Sequence, residues 1–189
     1  MLTALLDACV LYPAPLRDLL LSLGVHCPIR LRWSTQIHDE WTRNLLTKRK
    51  DLTRAQVDRT RSLMDQALPD ALVTNFEPLI DTLTLPDPDD RHVLAAAIHA
   101  NADLIVTWNL KDFPSRTLKN YHLVRENPDV FIVKVITEHE ESAIESIRNL
   151  RARLRHPPVT TADLMETFAK QKLAKVVAHL RQPSIFGHL

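Results

Sequence analysis

Residues 89–114 read DDRHVLAAAIHANADLIVTWNLKDFP, and the succession of textures along this stretch sets the fold class. Two aspartates open it. HVLAAAIHANA follows, alanine-rich, with Val93, Leu94, Ala97 and Ile98 on one side, and predicts the strongest helix of the chain. Asp89 and Asp90 fall at its N-terminus, where negative charge complements the helix dipole. LIVT (104–107) is a short β-branched run, the texture of a strand buried on both faces. TWNLKDFP is the loop beyond its carboxyl end. Helix, buried strand and polar loop in succession are one unit of an α/β domain around a parallel sheet.

The same alternation extends upstream. Residues 2–6 predict a buried strand ending at Asp7 in LLDACVLYP. Pro13 to Leu23 predicts a helix with Gly24 just past its end. IRLRW (29–33) reads as a second strand. Ser34 reads as an N-cap, and Ile37, Trp41 and Leu45 predict an amphipathic helix over 35–49. Glu40 in HDEWTRNLL lies about 100° round from Trp41, at the edge of the buried stripe. Thr53 caps a further helix with Val57, Met64 and Leu68 inward. ALVT (71–74) is a short strand, 76–82 a brief helix, and LPDPDD a turn.

Downstream, Asn127 and Pro128 can open a helix, while VFIVKVI is β-branched enough for a strand. Thr137 and Glu140 have capping-box spacing. Ala143, Ile144, Ile147, Leu150 and Leu154 then form a helical stripe. HPPVTT breaks the chain, and a second helix is expected from Ala162 to Leu180, with Met165, Phe168, Leu173 and Val176 inward. The expected organisation is an α/β domain with a central parallel sheet over residues 1–136 and a helical hairpin over 137–189.

With 189 residues and 45% apolar content, one domain with an appendage has a sizeable core. Its two glycines, Gly24 and Gly187, leave no glycine-rich phosphate loop, dinucleotide fingerprint or GxSxG elbow. Cys9 and Cys27, the only cysteines, cannot build a zinc finger and are expected to be reduced thiols. None of the nine histidines has HExxH or HxH spacing. No apolar run is long enough to span a bilayer, and residues 1–11 lack the texture of a secretory signal, so a cytoplasmic location is expected.

The net charge of +1 conceals a segregation. Residues 41–61 hold Arg43, Lys48, Arg49, Lys50, Arg54, Arg59 and Arg61 against Asp51 and Asp58, whereas 77–90 hold Glu77, Asp81, Asp87, Asp89 and Asp90 with no cation. A solvated helix face explains such a basic run by itself; so does a grip on phosphates beside an acidic centre.

Four acidic positions stand out: Asp7, Glu40, Asp89 with Asp90, and Asp112. Taken singly, Asp90 can complement a helix dipole, Asp112 can serve a turn and Glu40 can be a surface charge. Asp7 follows a buried strand, and there a carboxylate needs a partner or a metal. In parallel sheets ligands bind beyond the strands' carboxyl ends, where both Asp7 and Asn109–Asp112 are expected. Carboxylates gathered by folding repel one another unless a hard cation such as Mg²⁺ or Mn²⁺ neutralises them, and such pockets serve phosphodiester chemistry. His92 can face this site or solvent, and Trp108 neighbours it as a packing or base-stacking side chain.

LLDACVLYP, the Ser34-to-Leu45 helix with Glu40, DDRHVLAAAIHANADLIVT and WNLKDFP together resemble the PIN-domain nucleases, most closely VapC-type toxins of toxin–antitoxin pairs. The resemblance covers about residues 2–136 and rests on the order and spacing of all four motifs. It implies a Rossmann-like α/β/α fold, Mg²⁺- or Mn²⁺-dependent endoribonuclease activity through a metal-activated water, a homodimer, and a small cognate antitoxin. By position, Asp7 matches the first acid, Glu40 the second and Asp90 the third, with Asp89 as the alternative. Asn109 holds the usual place of the fourth acid, two residues after Thr107, and Asp112 stands in for it. Asp7 and Asp90 are then the direct metal ligands. Glu40 and Asp112 bind a second ion or orient the water, and Thr107 and Asn109 bind water or phosphate. Two other readings stay open: a non-catalytic scaffold, favoured by Asn109, and a PIN nuclease for RNA processing or for DNA.

Overall fold

The computed structural model describes residues 1–155 and 157–189. In chain order the elements run β1 (Leu2–Leu6), α1 (Ala8–Leu11), α2 (Ala14–His26), β2 (Ile29–Ser34), α3 (Thr35–Lys48), α4 (Arg54–Ala67), β3 (Leu72–Val73), α5 (Glu77–Ile80) and α6 (Arg91–His99). Then come β4 (Leu104–Val106), α7 (Ser115–Lys119), β5 (Val124–Glu126), α8 (Pro128–Glu138), α9 (Glu140–Arg153), α10 (Thr161–Lys170), α11 (Ala174–Leu180) and α12 (Pro183–Phe186). Short 3-10 turns occupy Pro88–Asp90 and Leu110–Asp112. The residues group into two compact units: Met1–Tyr12 with Arg30–Asn127, and Pro13–Ile29 with Pro128–Leu189.

The first unit is the α/β domain. Its five strands form one sheet in the order β3-β2-β1-β4-β5, with parallel pairing of β1 to β4, β2 to β3 and β4 to β5. The chain winds outward from β1 to β3, then returns to β4 on the other side of β1. The order therefore reverses between β1 and β4, the place where open α/β sheets bind ligands. Ala4, Leu5 and Leu6 of β1 and Leu104, Ile105 and Val106 of β4 are all fully buried, which is why both strands read as unbroken apolar runs. Helix α6 packs on both through Val93, Leu94 and three buried alanines.

Helix α3 starts as expected: the Ser34 hydroxyl accepts from the Ile37 amide at 3.2 Å, worth about 1 kcal/mol. Ile37 and Trp41 are fully buried, each contributing about 1.5–3 kcal/mol or more. The Trp41 indole N–H donates to His38 Nδ1 at 2.9 Å. Asp65 Oδ1 on α4 lies 3.0 Å from His38 Nε2 and accepts the Trp33 indole N–H at 2.9 Å. This network ties β2, α3 and α4 together and fixes the face that α3 presents. Trp33 and Trp41 are thus core residues.

The second unit is helical. α9 packs on α2 and α8, α11 on α8 and α10, and α10 also on α2. VFIVKVI is helical, with Phe131, Ile132, Val135 and Ile136 buried at helical spacing. The buried Asp129 carboxylate accepts the Lys175 and Val176 amides, each at 2.9 Å, at the start of α11.

Several local expectations change. The predicted helical pair is a longer series of helices. The expected helix from Ala162 to Leu180 is α10 and α11, separated where Lys172 takes a left-handed φ of 63°. Thr137 lies inside α8 and its hydroxyl donates to the Val133 carbonyl, so it forms no capping box with Glu140. Capping boxes form at Thr53 with Gln56 and Thr160 with Asp163. Gly24 lies within α2 rather than beyond it. Of the expected HPPVTT break, His156 lies outside the described residues. Among the described residues, no helix is long and apolar enough to cross a membrane.

Candidate functional site

The carboxyl ends of β1 and β4 build the floor of the site. The Asp7 amide donates to the Val106 carbonyl at 3.1 Å, continuing the ladder one step past β1. Asp7 is then extended (φ −72°, ψ 155°) before α1 begins. Its side chain is 2% exposed, and its neighbours explain how a carboxylate persists there. The buried Thr107 hydroxyl donates to Oδ2 at 2.6 Å, and the Cys9 thiol donates to the same oxygen at 3.1 Å. The Trp108 amide donates to Cys9 Sγ, and the Asn109 amide to Thr107 Oγ1 at 2.9 Å. Both side-chain donors converge on Oδ2. Burial raises the Asp7 pKa; Thr107 and Cys9 oppose that rise, while the charge of Glu40 adds to it.

The remaining acids form a rim. Glu40, Arg43, Asp87, Asp89, Asp90, Asn109 and Asp112 line one open pocket of about 540 Å³. Glu40 comes from α3, and His92 Nε2 of α6 lies 3.5 Å from its Oε2. The Asp87 carboxylate accepts the Asp89 amide at 2.9 Å, an Asx turn that delivers Asp89 and Asp90 to the start of α6. Asp90 makes no side-chain cap bond to that helix. Its pKa is pushed up to about 7, first by partial burial and then by the charges of Asp7, Asp87, Asp112 and Glu40. Acids distant in sequence therefore repel one another at Asp90, whereas the neighbouring Asp89 is exposed.

Asp112 sits half-buried in the 3-10 turn after β4. Its loop is pinned by buried Phe113 and by the Arg125 guanidinium of β5, which donates to the Leu110 and Phe113 carbonyls. Asn109 is exposed. Of the expected site positions, Glu40, Asp89, Asp90, Asn109 and Asp112 line this open pocket, while Asp7 and Thr107 are buried and bonded to each other outside its lining. Sequence reasoning missed Cys9, Asp87 and Arg125 here. Cys9 stood two residues from Asp7, a proximity with no period to mark it. Arg125 lies on a strand too short to announce itself.

The donor set is entirely oxygen, suited to a hard divalent cation. Among the described residues no group of three or more Asp, Glu, His or Cys side chains stands close enough to hold a metal ion as placed. The acids form an open rim, and their like charges repel one another across it.

Comparison with known proteins agrees with this geometry. Residues 3–111 match the PIN domain, and residues 128–182 match the VapC50 C-terminal domain. VapC50 of Mycobacterium tuberculosis, provisionally named a ribonuclease, is 38% identical over 82 residues, which cover 43% of this chain and 48% of that relative. The chain thus spans about half the length of the curated relative it matches. No solved structure matches the chain. With the greater part of its length matched and the acid-rimmed crossover in place, the chain belongs to the PIN-domain family.

Proposed function

We propose that this protein is a divalent-metal-dependent endoribonuclease, the toxin of a toxin–antitoxin pair. The observation that carries the reading is the convergence of Asp7, Glu40, Asp87 and Asp112 on Asp90 at the sheet's crossover. Such repulsion is relieved by a cation. Mg²⁺ or Mn²⁺, when bound, supplies Lewis acidity toward a phosphodiester and its attacking water.

In this reading Asp7 and Asp90 hold the ion. Thr107 and Cys9 restrain Asp7 through Oδ2 and the Ala8 backbone also bonds its carboxylate, which would fix the orientation of the group that holds the ion. Glu40 and Asp112 assist a second ion or orient the attacking water, whose proton passes to a carboxylate oxygen. Asn109 offers a neutral amide to water or phosphate where an acid would add charge, and Asp112 compensates for that missing charge. The name of the M. tuberculosis relative supports RNA as the substrate class. Pairing with a small antitoxin, a homodimer and a cytoplasmic location complete the proposal; the two free thiols, Cys9 and Cys27, suit a reducing compartment.

The test is cleavage of RNA, with DNA in parallel, by purified protein with Mg²⁺ or Mn²⁺ and with chelator. Asp7→Asn and Asp90→Asn are each expected to abolish metal-dependent RNA cleavage with the fold retained. Full activity in both variants would remove the reading. Asn109 favours a second reading, a non-catalytic scaffold. Growth arrest on expression, relieved by a co-expressed neighbouring small protein, would exclude it.

A further inference from the structure

The folded chain thins the basic run of residues 41–61 and aims what remains. Arg49 pairs with Asp51 at 2.5 Å, Arg61 with Asp39 at 2.6 Å, and Arg54 Nε with Asp58 at 2.9 Å. Arg43 and Lys50 have no carboxylate partner among the described residues. Both line a second open pocket, of about 520 Å³, together with Asp39, Leu46 and Arg54. Asp39 is paired with Arg61 and Arg54 with Asp58, so Arg43 and Lys50 set the sign of this cleft, with the Arg54 guanidinium lining it beside them. Arg54 engages Asp58 through Nε alone in the contacts described, and its side chain is 67% exposed. Asp39, Arg43, Leu46 and Lys50 recur at helical spacing along α3 and the turn after it.

Arg43 belongs to both pockets. One wall therefore joins a strongly acidic basin to a basic shelf. A phosphodiester strand approaching the acids alone is repelled; a neighbouring row of cations offsets that repulsion and sets the strand's direction. From Arg43 to Lys48, where α3 ends, the helical rise is roughly 7.5 Å at 1.5 Å per residue, about two nucleotide steps of ~3.4 Å, and Lys50 follows in the turn beyond it.

We infer that the α3–α4 cleft is a binding shelf for the backbone phosphates of the RNA strand on one side of the scissile bond, with Arg43 as the hinge between shelf and acids. This rests on the ribonuclease reading for its choice of RNA. Lys50 and Arg54 are substrate-binding residues that touch no reacting atom.

The experiment uses the full chain with Lys50→Gln and Arg54→Gln combined, circular dichroism confirming the fold. In the Asp7→Asn background with chelator, binding of a fluorescein-labelled single-stranded oligouridine is measured across salt concentrations. The double variant is expected to bind at least tenfold more weakly, with its logarithmic salt slope reduced by about 1.4, or ~0.7 per lost phosphate contact. With Asp7 restored and Mn²⁺ present, KM for RNA rises while hydrolysis of bis(para-nitrophenyl) phosphate, too small to reach the shelf, is unchanged. Equal RNA affinity and salt slope in the two proteins overturn the shelf. So does preferential binding of polyglutamate, which reassigns the cleft to an acidic protein segment. Loss of RNA binding in the variant, with no cleavage of either substrate by the parent, keeps the shelf and ends the nuclease reading instead.

Discussion

Replacing Asp90 by Asn should stabilise the metal-free protein while removing its activity. Raising the Asp90 carboxyl from 3.8 to about 7 corresponds to about 4 kcal/mol at ~1.4 kcal/mol per tenfold change in proton equilibrium. Solvent around the half-buried group screens this, leaving on the order of 1–2 kcal/mol. Because the folded carboxyl titrates above its unfolded value, the native protein holds the extra proton between about pH 4 and 7, and stability declines as pH rises through that window. The amide cannot ionise, so the variant escapes the decline. Asp90 makes no side-chain cap bond to α6, so no capping bond is lost; the forfeited helix-dipole attraction of about 0.3–1 kcal/mol trims the gain. With chelator at about pH 8, the variant should melt roughly 2–8 °C above the parent, at ~2–4 °C per kcal/mol for a chain of this size. Near pH 4 the two should nearly coincide. Adding Mn²⁺ should raise the parent's melting temperature by mass action and the variant's far less. Scanning calorimetry of both proteins at both pH values decides it. No gain at the higher pH, or a gain undiminished at the lower, refutes convergent repulsion at Asp90.

Cys9→Ala removes a donor to Asp7 Oδ2 and should weaken Mn²⁺ binding by about tenfold or more, whereas Cys9→Ser should stay near the parent; titration calorimetry separates this from an indifferent thiol, for which all three would agree. Burial lowers the His38 pKa, and the Trp41 N–H already occupies Nδ1, so stability from this group is complete above the unfolded value and is lost as pH falls through the lowered folded one. His38→Gln in the Asp90→Asn background should flatten that acid decline in urea midpoints; an unchanged decline assigns it elsewhere. Asp129→Ala leaves the Lys175 and Val176 amides without their carboxylate and should cost about 1.5–3 kcal/mol in denaturant unfolding, with Asp129→Asn recovering part. Arg125→Ala frees the Leu110 and Phe113 carbonyls, and hydrogen exchange of the Asp112 loop should accelerate while that of α6 does not.

Local chemistry along the chain determined much of this protein. Unbroken apolar runs at 2–6 and 104–107 marked strands covered on both faces; Ser34 and Thr53 marked helix starts; the distance between acids in sequence marked a site made only by folding. Those features depend on a few neighbouring residues, and burial, capping and periodicity act at that range. The order β3-β2-β1-β4-β5 required the whole sheet. So did the choice of helix for VFIVKVI, whose branched side chains suit either state until packing buries Phe131, Ile132, Val135 and Ile136. The grouping of Pro13–Ile29 with Pro128–Leu189 has no local mark at all. At the site, residue identity named the acids, but only the tertiary structure placed Cys9 and Thr107 on one oxygen of Asp7, brought four carboxylates to bear on Asp90, and neutralised part of the basic run while leaving Arg43 and Lys50 without a carboxylate partner among the described residues. Electrostatic repulsion and hydrogen-bond geometry depend on distances of a few ångströms between residues up to a hundred positions apart, and those distances exist only once the chain has folded.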